Sequence, residues 1–191
     1  MVIELIETLV KKNRSYRRFY EDREISRETL LELIDIGRNT PSAANLQPVR
    51  YKLVCDPETR EKVFGCIGWA GYLKDWDGPQ QGERPAAYIF LTTPEKTNAQ
   101  CDEGIIGQTI LLAACEMGMG GCFLGNLKRE RLSEILSLPG DRKIDYCIAL
   151  GYPKETVVLE EIPAGGAIEY YRDSRQVHHV PKIRTEDLIL E

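Results

Sequence analysis

The chain has 191 residues, 42% apolar and 29% charged, the balance of an ordinary soluble domain with one substantial core. A formal net charge of -5 speaks against a sequence-independent nucleic-acid binder, which needs a large basic surface. Six cysteines form no Cys-x-x-Cys pair, the N-terminal Met-Val-Ile-Glu-Leu-Ile-Glu lacks a signal-peptide layout, and no apolar run could span a membrane; we expect reduced thiols, a cytoplasmic location and no membrane partner.

Ile3, Leu5, Ile6, Leu9 and Val10 recur at helical spacing and predict an opening amphipathic helix. It runs into Asn13-Arg14-Ser15-Tyr16-Arg17-Arg18-Phe19, where arginine forks and a hydroxyl suit the oxygens of a phosphorylated ligand and Tyr16 and Phe19 can anchor the segment in a core. A solvated basic helix end is an equally good reading of that stretch alone. Ser26 is placed as the N-cap of a second helix through Leu30, Leu31, Leu33, Ile34 and Ile36. The proline-bracketed loop 41–48 leads to a strand at 51–55, and Asp56-Pro57-Glu58 starts another helix. Trp69 to Trp76 reads as helical, followed by an exposed loop or lid over 77–82. Ala86 to Thr92 is a strand. Asp102 to Met117 is a helix apolar nearly all round, as expected if a second subunit covers part of it. Glycines 118, 120 and 121 stop it; a short strand at 122–124, a helix at 130–136 and a last core strand at 144–150 follow. From Lys154 the pattern weakens, and this tail is ordered only if it docks on the core or on a partner.

Common catalytic signatures are missing. Gly118-Met119-Gly120-Gly121 follows a helix and lacks the third glycine of a dinucleotide fingerprint, and there is neither a phosphate-binding Gly-Lys-Ser/Thr loop nor a Gly-x-Ser-x-Gly elbow. Only two histidines occur, adjacent at 178 and 179, which argues against a metal site and against triad chemistry. Dispersed polar loops without an evident acid, base or nucleophile are what a cofactor-dependent enzyme presents.

Residues 13–19, the loop Pro41-Ser42-Ala43-Ala44-Asn45-Leu46-Gln47-Pro48, the segment 118–125 and Lys182-Ile183-Arg184, in this order, resemble the FMN-dependent nitroreductase family. The resemblance implies a single α+β domain over 1–191, with a central mixed, mostly antiparallel sheet flanked by helices, 154–191 as a docking extension, and a homodimer with FMN at its interface. It implies that Arg14, Ser15 and Arg17 hold the phosphate and ribityl chain, with Arg17 at the flavin N1/O2 edge, and that Lys182 and Arg184 return to the phosphate. Pro41, Ser42, Ala43 and Asn45 would reach the flavin of the other subunit. Leu124, Gly125 and Asn126 would lie beside flavin N5, Gly125 with its backbone. The implied activity is ping-pong hydride transfer from NAD(P)H through flavin N5 to a small-molecule acceptor such as a nitroaromatic or quinone. A reductive dehalogenase or flavin-consuming relative on the same scaffold, a non-catalytic FMN-binding protein and a flavin-free phosphate-ligand module are the alternatives.

Taken singly, the loop at 41–48 also reads as a rigid connector, the glycines as a helix stop and the terminal cations as a solvated tail. Trp69, Tyr72 and Trp76 read as core, and Cys122 as a buried spectator thiol. Two departures stand out: Asn13 occupies a position often held by arginine in the family, and 69–84 matches none of the family's cofactor- or substrate-contacting insertions.

Overall fold

The computed structural model describes the backbone of residues 2–190 and the side chains of residues 5–190. Its helices are α1 (Val2–Lys12), α2 (Arg27–Gly37), α3 (Pro57–Phe64), α4 (Gln100–Glu116) and α5 (Arg129–Ile135). Its strands are β1 (Arg50–Val54), β2 (Ala87–Pro94), β3 (Gly120–Leu124), β4 (Arg142–Gly151), β5 (Val157–Ile162), β6 (Tyr171–Arg172) and β7 (His178–Ile183).

A four-stranded sheet ordered β1-β2-β4-β3, antiparallel throughout, forms the centre. Successive residues of a strand face opposite sides, so the unbroken apolar runs of β2 and β4 mean that both faces are covered. Ile89, Leu91, Ile148 and Leu150 pack with Leu30 and Leu33 of α2 and Ile106 and Ile110 of α4. Tyr88, Phe90, Cys147 and Ala149 pack on the other face with Val63 of α3 and Leu132 of α5. The helix starts follow from local chemistry: Ser26 Oγ accepts from Thr29 N–H at 3.1 Å, and Asp56 caps α3 through Thr59 N–H at 2.8 Å, with Pro57 in the first turn. Gly118, at φ +78°, takes the left-handed turn after α4.

The tail folds into a second, three-stranded sheet ordered β5-β7-β6, with β5 and β7 parallel, so the fold's mixed character comes from here. Residues 69–76 are not the predicted helix. They form turns, with Ala70 at φ +33° and the Trp69 ring lying against Gly78, where a Cβ would stand 2.5 Å from the indole. α1 is helical as predicted, although the side chain of Ile3 lies outside the described residues. Leu9 of its apolar stripe is half-buried, whereas Leu5, Ile6 and Val10 are 56%, 54% and 42% exposed.

The bulge of β4 opposite Leu91 and Thr92 leaves Asp145 as the extra residue, and its side chain takes up Thr93 Oγ1–H at 2.5 Å and neighbours Glu103 of α4. Glu103 is 1% exposed, and neither carboxyl oxygen has a donor among the described residues. Burial first, then the Asp145 charge, push its pKa to about 7. Native Glu103 therefore keeps a proton that the unfolded chain releases near the ordinary carboxyl value. The folded state binds more protons between about pH 4.5 and 7, so stability falls as pH rises through that window. Glu103→Gln should abolish that fall, leaving the variant more stable than the parent at pH 8 and similar at pH 4.5. Urea midpoints at the two pH values test it, and an equal difference at both would contradict it.

Candidate functional site

Residues 13–19 leave the end of α1 and run beside the edge strand β3, where Ser15 bridges Gly121 and Tyr16 N–H donates to Gly121 O at 3.0 Å. Close approach requires glycine here. A Cβ on Gly120 would meet the Tyr16 ring at 2.5 Å, and one on Gly151 would meet the Phe19 side chain at 2.6 Å. Phe19, fully buried, pins the segment. Arg18 points away from the cavity described below and forms a two-pronged pair with Glu83 at 2.6 and 2.7 Å; this arginine hydrogen bond is the main cause holding the Glu83 carboxyl below its usual pKa.

With Arg18 engaged elsewhere, Asn13, Arg14, Ser15 and Arg17 line one cavity of about 360 Å³. β7 supplies His178, Val180 and Lys182 to the same cavity, alternate residues on one face of the strand. α4 adds Gln108 and Leu111, β3 adds Phe123, and Tyr170 lies across Arg17 with its ring centroid 5.0 Å from the guanidinium carbon. One part of the lining is therefore cationic and rich in donors, and another is apolar and aromatic. Arg14 Nε and Arg17 Nε are buried with no hydrogen-bond partner among the described residues, and burial is the main cause lowering the Arg14 pKa. Each guanidinium donates through an Nη to a backbone carbonyl, Arg14 to Val10 O and Arg17 to Ser15 O, but neither has a carboxylate partner among the described residues, and their free Nε donors suit an acceptor-rich, anionic ligand.

The second sheet is held to this cluster by Glu155. Its carboxylate accepts from the backbone N–H groups of Arg17 and Arg18 and pairs with Arg172 at 2.8 Å, the two side chains being 1% and 8% exposed. Arg172 stacks on Trp76, and Tyr72 N–H donates to the Tyr170 hydroxyl at 3.4 Å, so the turns at 69–76 brace the tail that carries Tyr170.

The other predicted site residues lie elsewhere. Arg184 does not line the cavity; it pairs with Asp187 at 2.9 Å. Leu124 is buried, whereas Gly125 and Asn126 are exposed just beyond Phe123, where Gly125 O accepts from Arg129 and Asn126 O from Gly68 N–H. The loop holding Pro41, Ser42, Ala43 and Asn45 sits at the start of α4, where buried Asp102 accepts from Ser42 Oγ and from Ala43 N–H. Ala44, Asn45 and Gln47 have φ of +48°, +55° and +48°, a left-handed geometry that non-glycine residues keep only when their surroundings hold it. Leu46 at its tip is 74% exposed. Tyr170, His178 and Gln108 escaped the sequence reading. For His178 a signal existed, since strand alternation counted back from Lys182 reaches Val180 and His178.

A profile of the nitroreductase family matches residues 10–70 and 85–152, more than half of the chain. The chain is 29% identical over 147 residues to an Archaeoglobus fulgidus protein bearing the provisional name NADH dehydrogenase/NAD(P)H nitroreductase, covering 72% of this chain and 80% of that one. It is 27% identical over 162 residues to the NADPH-dependent oxidoreductase of Staphylococcus haemolyticus, covering 77% of this chain and 64% of that one, so it spans just under two thirds of that relative. The solved NADPH:FMN oxidoreductase of Vibrio harveyi, complexed with NAD+, superposes with a TM-score of 0.61 at 25% identity over 79% of this chain and 69% of that one. The matched residues take in the basic segment, the strained loop and the four strands of the central sheet: the chain belongs to the nitroreductase family.

Proposed function

We propose that this chain is an NAD(P)H-dependent FMN oxidoreductase, working as a homodimer and passing hydride to a small acceptor such as a nitroaromatic or quinone. The observation that carries the reading is the meeting of Arg14, Ser15 and Arg17 with Lys182, some 165 residues apart in sequence, on one cavity with unpaired buried donors. The names of the relatives agree with it: an NAD(P)H nitroreductase, an NADPH-dependent oxidoreductase and an NADPH:FMN oxidoreductase.

The residues fit FMN. Arg14, Ser15 and Lys182 offer charge and donors for its phosphate and ribityl oxygens, and Leu111, Phe123 and Tyr170 offer apolar surface for its ring. When bound, FMN supplies the ability to take up and give back hydride. Arg17 would be the cation for the N1/O2 edge, where it would favour the build-up of negative charge, and the Gly125 backbone, outside the cavity lining and two residues beyond Phe123, would serve N5. Arg184 becomes a phosphate contact only by leaving Asp187. Pro41, Ser42, Ala43 and Asn45 serve the partner's cleft, which gives a purpose to a strained loop with an exposed tip. The exposed Leu5, Ile6 and Val10 of α1 support pairing of two chains.

Arg17→Ala should slow reduction by NAD(P)H in FMN-saturated protein, because a contact that strengthens in the transition state appears in the chemical step. Arg14→Ala should weaken FMN binding while sparing that step. Anaerobic stopped-flow bleaching of the flavin measures both; equal rates for the two variants would contradict the division of roles. Sedimentation of the same samples at micromolar concentration should show dimers, and an active, FMN-loaded monomer would contradict a shared cleft.

A further inference from the structure

His178 opens β7 and is 1% exposed, with its backbone N–H fixed by Thr156 O at 2.9 Å. Tyr170 packs against the imidazole with centroids 5.3 Å apart, and Arg17 Nη1 lies 3.5 Å from Nε2. Arginine has donors only, so His178 Nε2 is the acceptor of this contact. In a neutral imidazole the proton must then sit on Nδ1, and that atom is buried without a partner among the described residues. Burial, Arg17, Arg172 and His179 lower the His178 pKa and Glu155 opposes them, leaving it at about 4, so the ring is neutral at physiological pH. A buried N–H donor with no acceptor is costly, and this residue lines the cavity in which Arg14 Nε and Arg17 Nε also lack acceptors.

We propose that His178 is a ligand-binding residue of this cavity, a neutral imidazole that donates its Nδ1–H to an oxygen on the pyrimidine edge of the flavin ring beside Arg17. The inference rests on the FMN reading of the cavity. It assigns recognition of the ring edge to a cation and a neutral donor acting together, and leaves the phosphate to Arg14 and Lys182. The contact between Arg17 and Nε2 fixes the tautomer, so Arg17 also positions the histidine.

The test is fluorescence titration of parent, His178→Phe and His178→Asn proteins with FMN and with riboflavin. Losing a hydrogen bond to a neutral acceptor should weaken both ligands by the same factor, roughly 3- to 10-fold in His178→Phe. Asparagine keeps a donor near the place of Nδ1 and should restore most of the affinity. A loss confined to FMN would assign the histidine to the phosphate and overturn the ring-edge placement, and unchanged affinity for both ligands would overturn the proposal outright. Failure of the parent itself to bind either flavin would remove the underlying reading and this inference with it. Melting curves without ligand check that the variants fold. Nitrogen NMR of the two histidines in the parent reads the tautomer without any variant: Nδ1-protonated His178 is expected, perturbed on adding FMN, and an Nε2-protonated ring would contradict the assignment.

Discussion

Arg14→Ala and Lys182→Ala should each weaken FMN binding by roughly 10- to 100-fold while leaving riboflavin binding nearly unchanged. The magnitude follows from a charge-assisted hydrogen bond, worth about 1.5–3 kcal/mol, and from the factor of ten per 1.4 kcal/mol. The selectivity follows from position, because riboflavin lacks the phosphate these cations are assigned to hold. Parent protein should accordingly prefer FMN to riboflavin by more than either single variant loses. Fluorescence titration at fixed ionic strength measures all of these, since partly exposed cations are screened by salt. Equal affinity of the parent for FMN and riboflavin would remove the phosphate role from both residues.

Glu155→Ala should cost about 3–5 kcal/mol of folding stability, the expected loss when one partner of a buried ion pair is removed and the other stays buried. Arg172 would be the stranded charge. Its side chain is 8% exposed, and burial already lowers its pKa even with Glu155 in place. The same substitution withdraws the acceptor of the Arg17 and Arg18 backbone N–H groups, so the basic segment and the second sheet should loosen together. With a slope of about 1–3 kcal/mol per molar urea, the midpoint should drop by at least about 1 M. Limited proteolysis should then cut first between 154 and 183. The double variant Glu155→Leu/Arg172→Met should regain much of the stability, since replacing both charges leaves none unpaired. A loss under about 1 kcal/mol in Glu155→Ala would contradict the view that this pair docks the tail.

The central sheet was legible in the sequence because β2 and β4 are buried on both faces and so read as unbroken apolar runs with turn residues at their ends. The caps at Ser26 and Asp56 were legible because they are local. What escaped is non-local. β5 and β7 pair in parallel across an intervening stretch that includes β6, and their partly exposed residues carry little apolar signal. The stretch 69–76 has aromatics at helical spacing, yet the rings are claimed by contacts a helix would not make: Trp69 by Gly78 in the following turn, and Tyr72 and Trp76 by the distant Tyr170 and Arg172. Tertiary packing overrode the local pattern. The basic cluster could be found because its residues are neighbours in sequence, whereas Tyr170 and His178 reach the cavity only once the second sheet has folded onto the first.

The central claim is that this cavity holds FMN and that reduced nicotinamide delivers hydride to it. The most direct measurement is the absorption spectrum of the protein after incubation with FMN and removal of free ligand, followed by anaerobic addition of NADH and, separately, NADPH. The expected result is flavin bands that stay with the protein and bleach rapidly with at least one of the two donors. Bands that are washed away, or that persist unchanged with both donors, would contradict it.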